Sequence, residues 1–221
     1  MKSIIPNTIK AVFFDLDGVL LDSMPWHVRA FNKILSDYST SLDSKDIAGK
    51  KTFQIFQNRL VKFNLSDSEI RELVSRKRSL MKNFYDNNLV QLTEDSIYDT
   101  LHSLHNLFKL GICTSGSKNS LDYFFRISQT KLLFDLVLCD SDVKMGKPDP
   151  EIYLKAIEIF NLTPINCIVV EDSESGIIAA RKAGCKVFAY NLANESHLTS
   201  FALKVSSFPD ISRRIFELSG E

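Results

Sequence analysis

Five short apolar runs constrain this chain more than any other feature: IKAVFFD, FKLGICT, FDLVLCD, CIVVED and CKVFAY. A strand covered on both faces reads as continuous apolar sequence, because neither face meets water. Segments with helical periodicity separate these runs. In KPDPEIYLKAIEIF, Pro150 suits a first helical turn, and Ile152, Ala156, Ile157 and Phe160 form one apolar stripe. The stretch from Ser175 to Ala183 is followed by Gly184, a residue suited to a left-handed stop. Strands alternating with helices predict an α/β fold built on a parallel sheet.

Residues from about Pro25 to Leu92 break the alternation, with helical periodicity and no strand pattern. Phe53, Phe56, Leu60 and Phe63 fall on one helical face. Ser66 and Glu69 have the spacing of a capping box, and Ile70, Leu73, Leu80 and Phe84 follow at helical intervals. The expected organisation is an α/β domain from 1–21 and 93–221, with an all-helical insertion over 22–92. No repeat, low-complexity tract or Pro/Gly-rich linker interrupts it. The tail from about Glu195 to Glu221 is weakly patterned and receives no assignment.

Composition removes several functional classes. Of 221 residues, 44% are hydrophobic and 24% charged, which excludes a disordered chain and permits a large core. The 27 basic and 27 acidic side chains cancel, so no excess charge draws the chain onto nucleic acid. Cys113, Cys139, Cys167 and Cys185 are scattered without a Cys-x-x-Cys pair, which argues against a disulfide framework or a zinc site. Asp15, Asp17 and Asp22 interrupt the apolar N-terminal region, so neither a signal peptide nor a membrane span is expected. The expectation is a reduced cytoplasmic protein.

The chemistry gathers at the ends of the apolar runs. In FFDLDGVLLDS, Asp15 follows a strand pattern, Asp17 stands two residues on, and Gly18 permits a tight turn. Glu171 and Asp172 end CIVV. Thr114, Ser115, Gly116 and Ser117 end another strand with hydroxyls and backbone N–H groups, and Lys147 stands in GKPDP. In open α/β sheets, residues at the C-terminal ends of strands face the ligand crevice.

Each piece alone has an ordinary explanation as a turn, a helix cap, a loop or a solvated charge. Together they do not. Four carboxylates facing one crevice repel, at about 4 kcal/mol per close pair for an effective dielectric near 20. Such a cluster needs Lys147 and a bound cation. Oxygen ligands without nearby His or Cys point to Mg²⁺, and the combination suits phosphoryl transfer.

DLDGVLLDS, TSGS, GKPDP and VVEDSESGIIAARKAG, in that order, resemble the four motifs of the haloacid dehalogenase-like superfamily, and within it the β-phosphoglucomutase and sugar-phosphatase branch. The resemblance spans nearly the whole chain and implies a Rossmann-like core with a small helical cap. It implies that Asp15 is the nucleophile forming an aspartyl-phosphate, and that Asp17 is the general acid and base. Ser115 would bind the phosphoryl oxygens, with Gly116 beside it, although Thr114 could fill the same role. Lys147 would balance the charge. Mg²⁺ would be held by Asp15, the Asp17 carbonyl and Asp172, with Glu171 direct or through water.

The cap should select substrate. His27 lies where β-phosphoglucomutases carry a histidine that helps control the acid/base aspartate. Gly49-Lys50-Lys51-Thr52 resembles the cap loop that enters the site, but Thr52 stands where the mutases place an arginine for a distal phosphate. Lys50 or Lys51 could supply a point charge there, without an arginine's bidentate geometry. His102 and His105 read as structural, and Trp26 and Met24 as packing between cap and core. The resulting expectation is a monomeric, Mg²⁺-dependent phosphatase of small phosphorylated metabolites, with no nucleic-acid or membrane partner. A β-phosphoglucomutase is the alternative. A phospho-aspartate signalling module is a third reading, disfavoured by Asp17 and the cap.

Overall fold

The computed structural model describes residues 8–47, 51–192 and 197–220, except the side chains of His197 and Thr199. Among the described residues, six parallel strands form one sheet: β1 (Ala11–Phe14), β2 (Lys109–Cys113), β3 (Leu136–Leu138), β4 (Cys167–Glu171), β5 (Lys186–Tyr190) and β6 (Leu203–Val205). Their order is β3-β2-β1-β4-β5-β6. β1 is central and entirely buried, pairing Phe14 with Ile112 on one side and with Val170 on the other. All five apolar runs became strands.

The period-2 alternation of a strand divides the core into two layers. Val12 and Phe14 of β1 face one layer with Ile112, Val170 and Phe188. α5 (Ile97–His105), α6 (Lys118–Ser128) and α9 (Phe208–Ser219) cover that side. Phe14 there stacks on Phe208 with ring centroids 6.2 Å apart. Ala11 and Phe13 face the opposite layer, where α7 (Glu151–Ile159) and α8 (Glu174–Lys182) contribute Tyr153, Ala156, Ile177 and Ala180. Burying one such Phe side chain contributes about 1.5–3 kcal/mol. The four cysteines are buried free thiols.

The helical insertion comprises α1 (Met24–Leu35), α2 (Ser44–Ile47), α3 (Thr52–Arg59) and α4 (Asp67–Asp86). It has its own apolar centre of Phe31, Ile34, Phe56, Leu60, Ile70 and Leu73. The Ser66–Glu69 capping box starts α4 as the sequence predicts. The insertion joins the sheet domain through a neck. Asp22 N–H donates to the Gln91 carbonyl at 2.9 Å, and Leu21 forms an isolated antiparallel bridge with Leu92.

Three expectations change. α3 stops at Arg59, and Asn64 adopts a left-handed conformation after a 3-10 turn. That break puts Phe63 off the shared face: it is 39% exposed and packs edge-on against Tyr38. The unassigned tail supplies β6 and α9, the latter capped by the Ser207 hydroxyl accepting from Asp210 N–H. Met24 packs against the insertion's own centre. Trp26 meets Phe84 within the insertion and borders the sheet-side layer. Among the described residues, no helix is long and apolar enough to cross a membrane.

Candidate active site

The strand order reverses between β1 and β4, and the crevice beyond the C-terminal ends of these neighbours is where open α/β sheets place ligands. Asp15 directly follows β1 and its N–H donates to the Val170 carbonyl of β4 at 3.0 Å. Glu171 ends β4, and Asp172 comes next. Oxygen atoms of Asp15, Glu171 and Asp172 all lie within 4.8 Å of one another. Backbone pairing between adjacent strands is thus what assembles the acids.

Lys147 is buried among them. Its Nζ donates to Asp15 Oδ1 at 2.6 Å, to Glu171 Oε1 at 2.5 Å and to the Cys113 carbonyl at 2.9 Å. Burial alone would pull this ammonium down, but Asp15 and Glu171 outweigh it and hold its pKa above the usual lysine value. Three carboxylates still face one lysine. Burial pushes the Asp15 carboxyl up to about 8, with Glu171 and Asp17 adding to the rise and Lys147 opposing it. Burial, then Glu171 and Asp15, also raise Asp172 well above the carboxylate range.

These groups fit a small hard cation. All three donors are carboxylate oxygens, and the excess negative charge of the cluster matches a divalent ion. Glycines give the acids room. A Cβ on Gly18 would fall 2.0 Å from Asp172 Oδ2, and Gly18 has a φ of +92°, which also favours glycine. Glu171 is the most constrained of the three. Its Oε1 accepts from Lys147 and from the Tyr153 hydroxyl at 2.9 Å. Its Oε2 accepts from Ser173 N–H and Oγ at 3.2 and 3.0 Å. Asp15 and Asp172 are therefore the freer direct donors.

The Asp17 side chain belongs to a different set of contacts. Its Oδ1 accepts from Ser23 Oγ at 2.6 Å, and His27 Nε2 lies 3.5 Å away, longer than a hydrogen bond. His27 Nδ1 is 2.5 Å from Lys77 Nζ on α4. Burial, reinforced by Lys77, lowers the His27 pKa, so the ring is neutral. With Nδ1 accepting from Lys77, the ring proton sits on Nε2 and faces Asp17. Burial pushes Asp17 up, but His27, Ser23 and Lys77 together hold it below its ordinary value.

The TSGS segment separates its hydroxyls. Thr114 is buried and its Oγ1 accepts from Gly116 N–H at 2.8 Å. Ser115 is exposed. A Cβ on Gly116 would lie 2.7 Å from Asp17 Oδ2, so this loop closes directly on the acid. The structure thus brings together Asp15, Asp17, Gly116, Lys147, Glu171, Asp172 and His27. Lys51 reaches the rim of the crevice, 3.4 Å from Asp140. Gly49 and Lys50 lie outside the described residues. His102 is exposed against Tyr98, and His105 lies beside Lys10 and Lys109 at the opposite end of the strands.

Sequence reasoning missed Ser23, Lys77, Tyr153 and Ser173. Lys77 had a legible signal. It occupies the buried stripe of α4, between Leu73 and Met81, where a lysine needs a partner. Ser23 precedes α1 without capping it, because its hydroxyl is given to Asp17.

An open parallel sheet with an acid cluster at its switch point and a helical unit inserted after the first strand is a Rossmann-like α/β core with a helical cap. Residues 12–190 match the haloacid dehalogenase-like hydrolase family, and the chain belongs to it. It is a phosphatase-type member of that family. The chain is 30% identical to a phosphorylated carbohydrates phosphatase of Thermotoga maritima over 184 residues, covering 80% of this chain and 82% of that protein. It is 25% identical to the pyrophosphatase PpaX of Bacillus cereus over 200 residues, covering 87% and 89%. The crystal structure of a β-phosphoglucomutase from Clostridium difficile superposes with a TM-score of 0.82 at 25% identity, covering 96% of this chain and 97% of that one.

Proposed function

We propose that the protein is a Mg²⁺-dependent phosphatase of small phosphorylated metabolites, sugar or polyol phosphates, acting through an aspartyl-phosphate on Asp15. The observation that carries this reading is the buried Asp15–Lys147–Glu171 set beside Asp172, at the switch point of the sheet. The similarity to a phosphatase of phosphorylated carbohydrates supports the substrate class. Residues 22–92 act as the cap and 1–21 with 93–221 as the core; the neck at Leu21 and Leu92 supports those bounds.

In this reading an Asp15 carboxylate oxygen attacks phosphorus, and the bond from phosphorus to the ester oxygen breaks. Asp17 gives its proton to the departing alcohol. It then takes a proton from water, which attacks the aspartyl-phosphate and releases inorganic phosphate and free Asp15. An incoming phosphate ester places negative charge beside Asp17 and raises its pKa, so the carboxylate can gain the proton it later donates. Ser115 and the Gly116 backbone orient the phosphoryl oxygens; the exposure of Ser115 and the internal engagement of Thr114 favour the serine. Lys147 keeps Asp15 and the phosphoryl charge together. Mg²⁺, held by Asp15, the Asp17 carbonyl and Asp172 with Glu171 behind them, supplies charge neutralisation when bound.

A second reading, β-phosphoglucomutase, is favoured by His27 beside Asp17 and opposed by Thr52. Phosphate release from sugar, polyol and nucleotide phosphates, with Mg²⁺ and then with EDTA, tests the proposal. Metal-dependent release that Asp15→Asn abolishes is the expected result. Near-normal release by that variant would remove Asp15 from its role. Conversion of β-glucose 1-phosphate to glucose 6-phosphate with little release would install the mutase reading instead.

A further inference from the structure

Lys51 is the residue preceding α3, and it extends from the insertion onto the core. Its Nζ lies 3.4 Å from Asp140 Oδ1. Its stem covers Gly146, where an added Cβ would come within 2.7 Å of Lys51 Cε. Both core positions flank the crevice. Asp140 N–H donates to the Gly116 carbonyl at 3.4 Å, and Gly146 precedes Lys147. The two side chains are 41% and 40% exposed, so the pair sits at the rim, where solvent leaves it weak enough to open.

We propose that the Lys51–Asp140 pair is a charge filter that selects singly phosphorylated substrates with an uncharged body over doubly anionic ones. This rests on the phosphatase reading of the site. When insertion and core meet, the insertion delivers a cation and the core delivers its matching carboxylate. The pair then carries no net charge. A substrate whose phosphoryl group sits at Asp15 and whose remainder is a polyol crosses this rim without penalty. A second phosphate or a carboxylate at the far end must displace Asp140 from Lys51 and then lie beside the carboxylate it has unpaired. Selectivity of this kind comes from a repulsive element as much as from an attractive one.

The test compares kcat/KM for fructose 1,6-bisphosphate and fructose 1-phosphate in the full chain. Asp140→Asn frees Lys51, and the bisphosphate-to-monophosphate ratio is expected to rise about 5- to 10-fold, less at high salt. Adding Lys51→Met to that variant is expected to cancel the rise. Lys51→Met alone leaves Asp140 unpaired and is expected to lower the ratio, which keeps the test open should Asp140→Asn fold poorly. Unmoved ratios in both single variants, or an equal rise in the double variant, would overturn the filter while leaving the phosphatase intact. A wild-type chain releasing phosphate from no ester would overturn the functional reading beneath it.

Discussion

Gly176 and Glu171 are in such close contact that no side chain fits between them: a Cβ on Gly176 would fall 1.8 Å from Glu171 Oε1. Gly176 is in the first turn of α8, whose N-cap Ser173 accepts from Gly176 N–H and also donates to Glu171. The helix start and the buried acid are therefore one packed unit. Gly176→Ala is expected to cost about 2–3 kcal/mol of stability through overpacking and to reduce phosphate release at least about tenfold by displacing Glu171 from Lys147. Gly220→Ala is the comparison. Nothing lies within 4 Å of that position, so only its φ of +81° opposes the change, at about 1 kcal/mol. Thermal melting and phosphate release of both variants check the contrast.

Metal binding should release protons. Burial pushes Asp15 up to about 8, and burial with the neighbouring Glu171 and Asp15 raises Asp172 well above the carboxylate range, so the cluster holds a proton near neutral pH without a cation. A cation binds the deprotonated forms, so Mg²⁺ affinity is expected to tighten as pH rises from 6 toward 8. Calorimetric titration of Mg²⁺ in two buffers of different ionisation enthalpy reads the protons directly. At a hundredfold excess over Kd the ion should add about 3 kcal/mol of stability. Equal heats in the two buffers would contradict this.

Lys77 gives the stability curve a signature at alkaline pH. Burial lowers its pKa from 10.5 to about 8, with Asp17 resisting the shift. Between those values the unfolded chain holds a proton that the folded chain has lost, so stability rises with pH across that window. Below pH 8 the charged, buried lysine carries a constant penalty. Lys77→Met is expected to remove the rise, on the order of 3 kcal/mol between pH 8 and 10.5. Urea unfolding of both proteins at several pH values in that range measures it.

His27 should be visible in the pH profile of catalysis rather than in stability alone. It is among the groups that hold Asp17 below its ordinary pKa despite burial. His27→Asn removes that support, so the Asp17 pKa rises and the carboxylate is lost at a higher pH. The alkaline limb of kcat/KM for a sugar phosphate, set by loss of the Asp17 proton that the leaving alcohol needs, is expected to move to higher pH. An unmoved limb with a merely lower plateau would make His27 a packing residue.

Most of the sheet was legible because β1, β2, β4 and β5 are covered on both faces and had to be written in unbroken apolar residues. β6 was not. It has three residues at the edge of the sheet, Leu203 is exposed and Lys204 half-buried, so its sequence carries no such run. α9 had a readable stripe in Phe208, Ile211 and Ile215, but short polar segments around it obscured the pattern.

The site followed the same logic. Asp15, Lys147, Glu171 and Asp172 could be placed because each sits at or beside a strand end or helix start. The supporting groups could not. Lys77 meets His27 across fifty positions, and Tyr153 meets Glu171 from the face of α7. Those meetings depend on how helices pack, and that information is spread over the core rather than held in a motif.

The neck joining insertion to core has a consequence for how this chain could diversify. Because Leu21 bridges Leu92 and Asp22 is tied to Gln91, the inserted segment begins and ends at nearly one point in space. A longer helical unit, a short loop or an unrelated fold spliced between those anchors would leave the six strands in their order and register. A lineage inheriting such a core can revise what it recognises by exchanging one cassette, while the half that performs the chemistry is handed down unaltered.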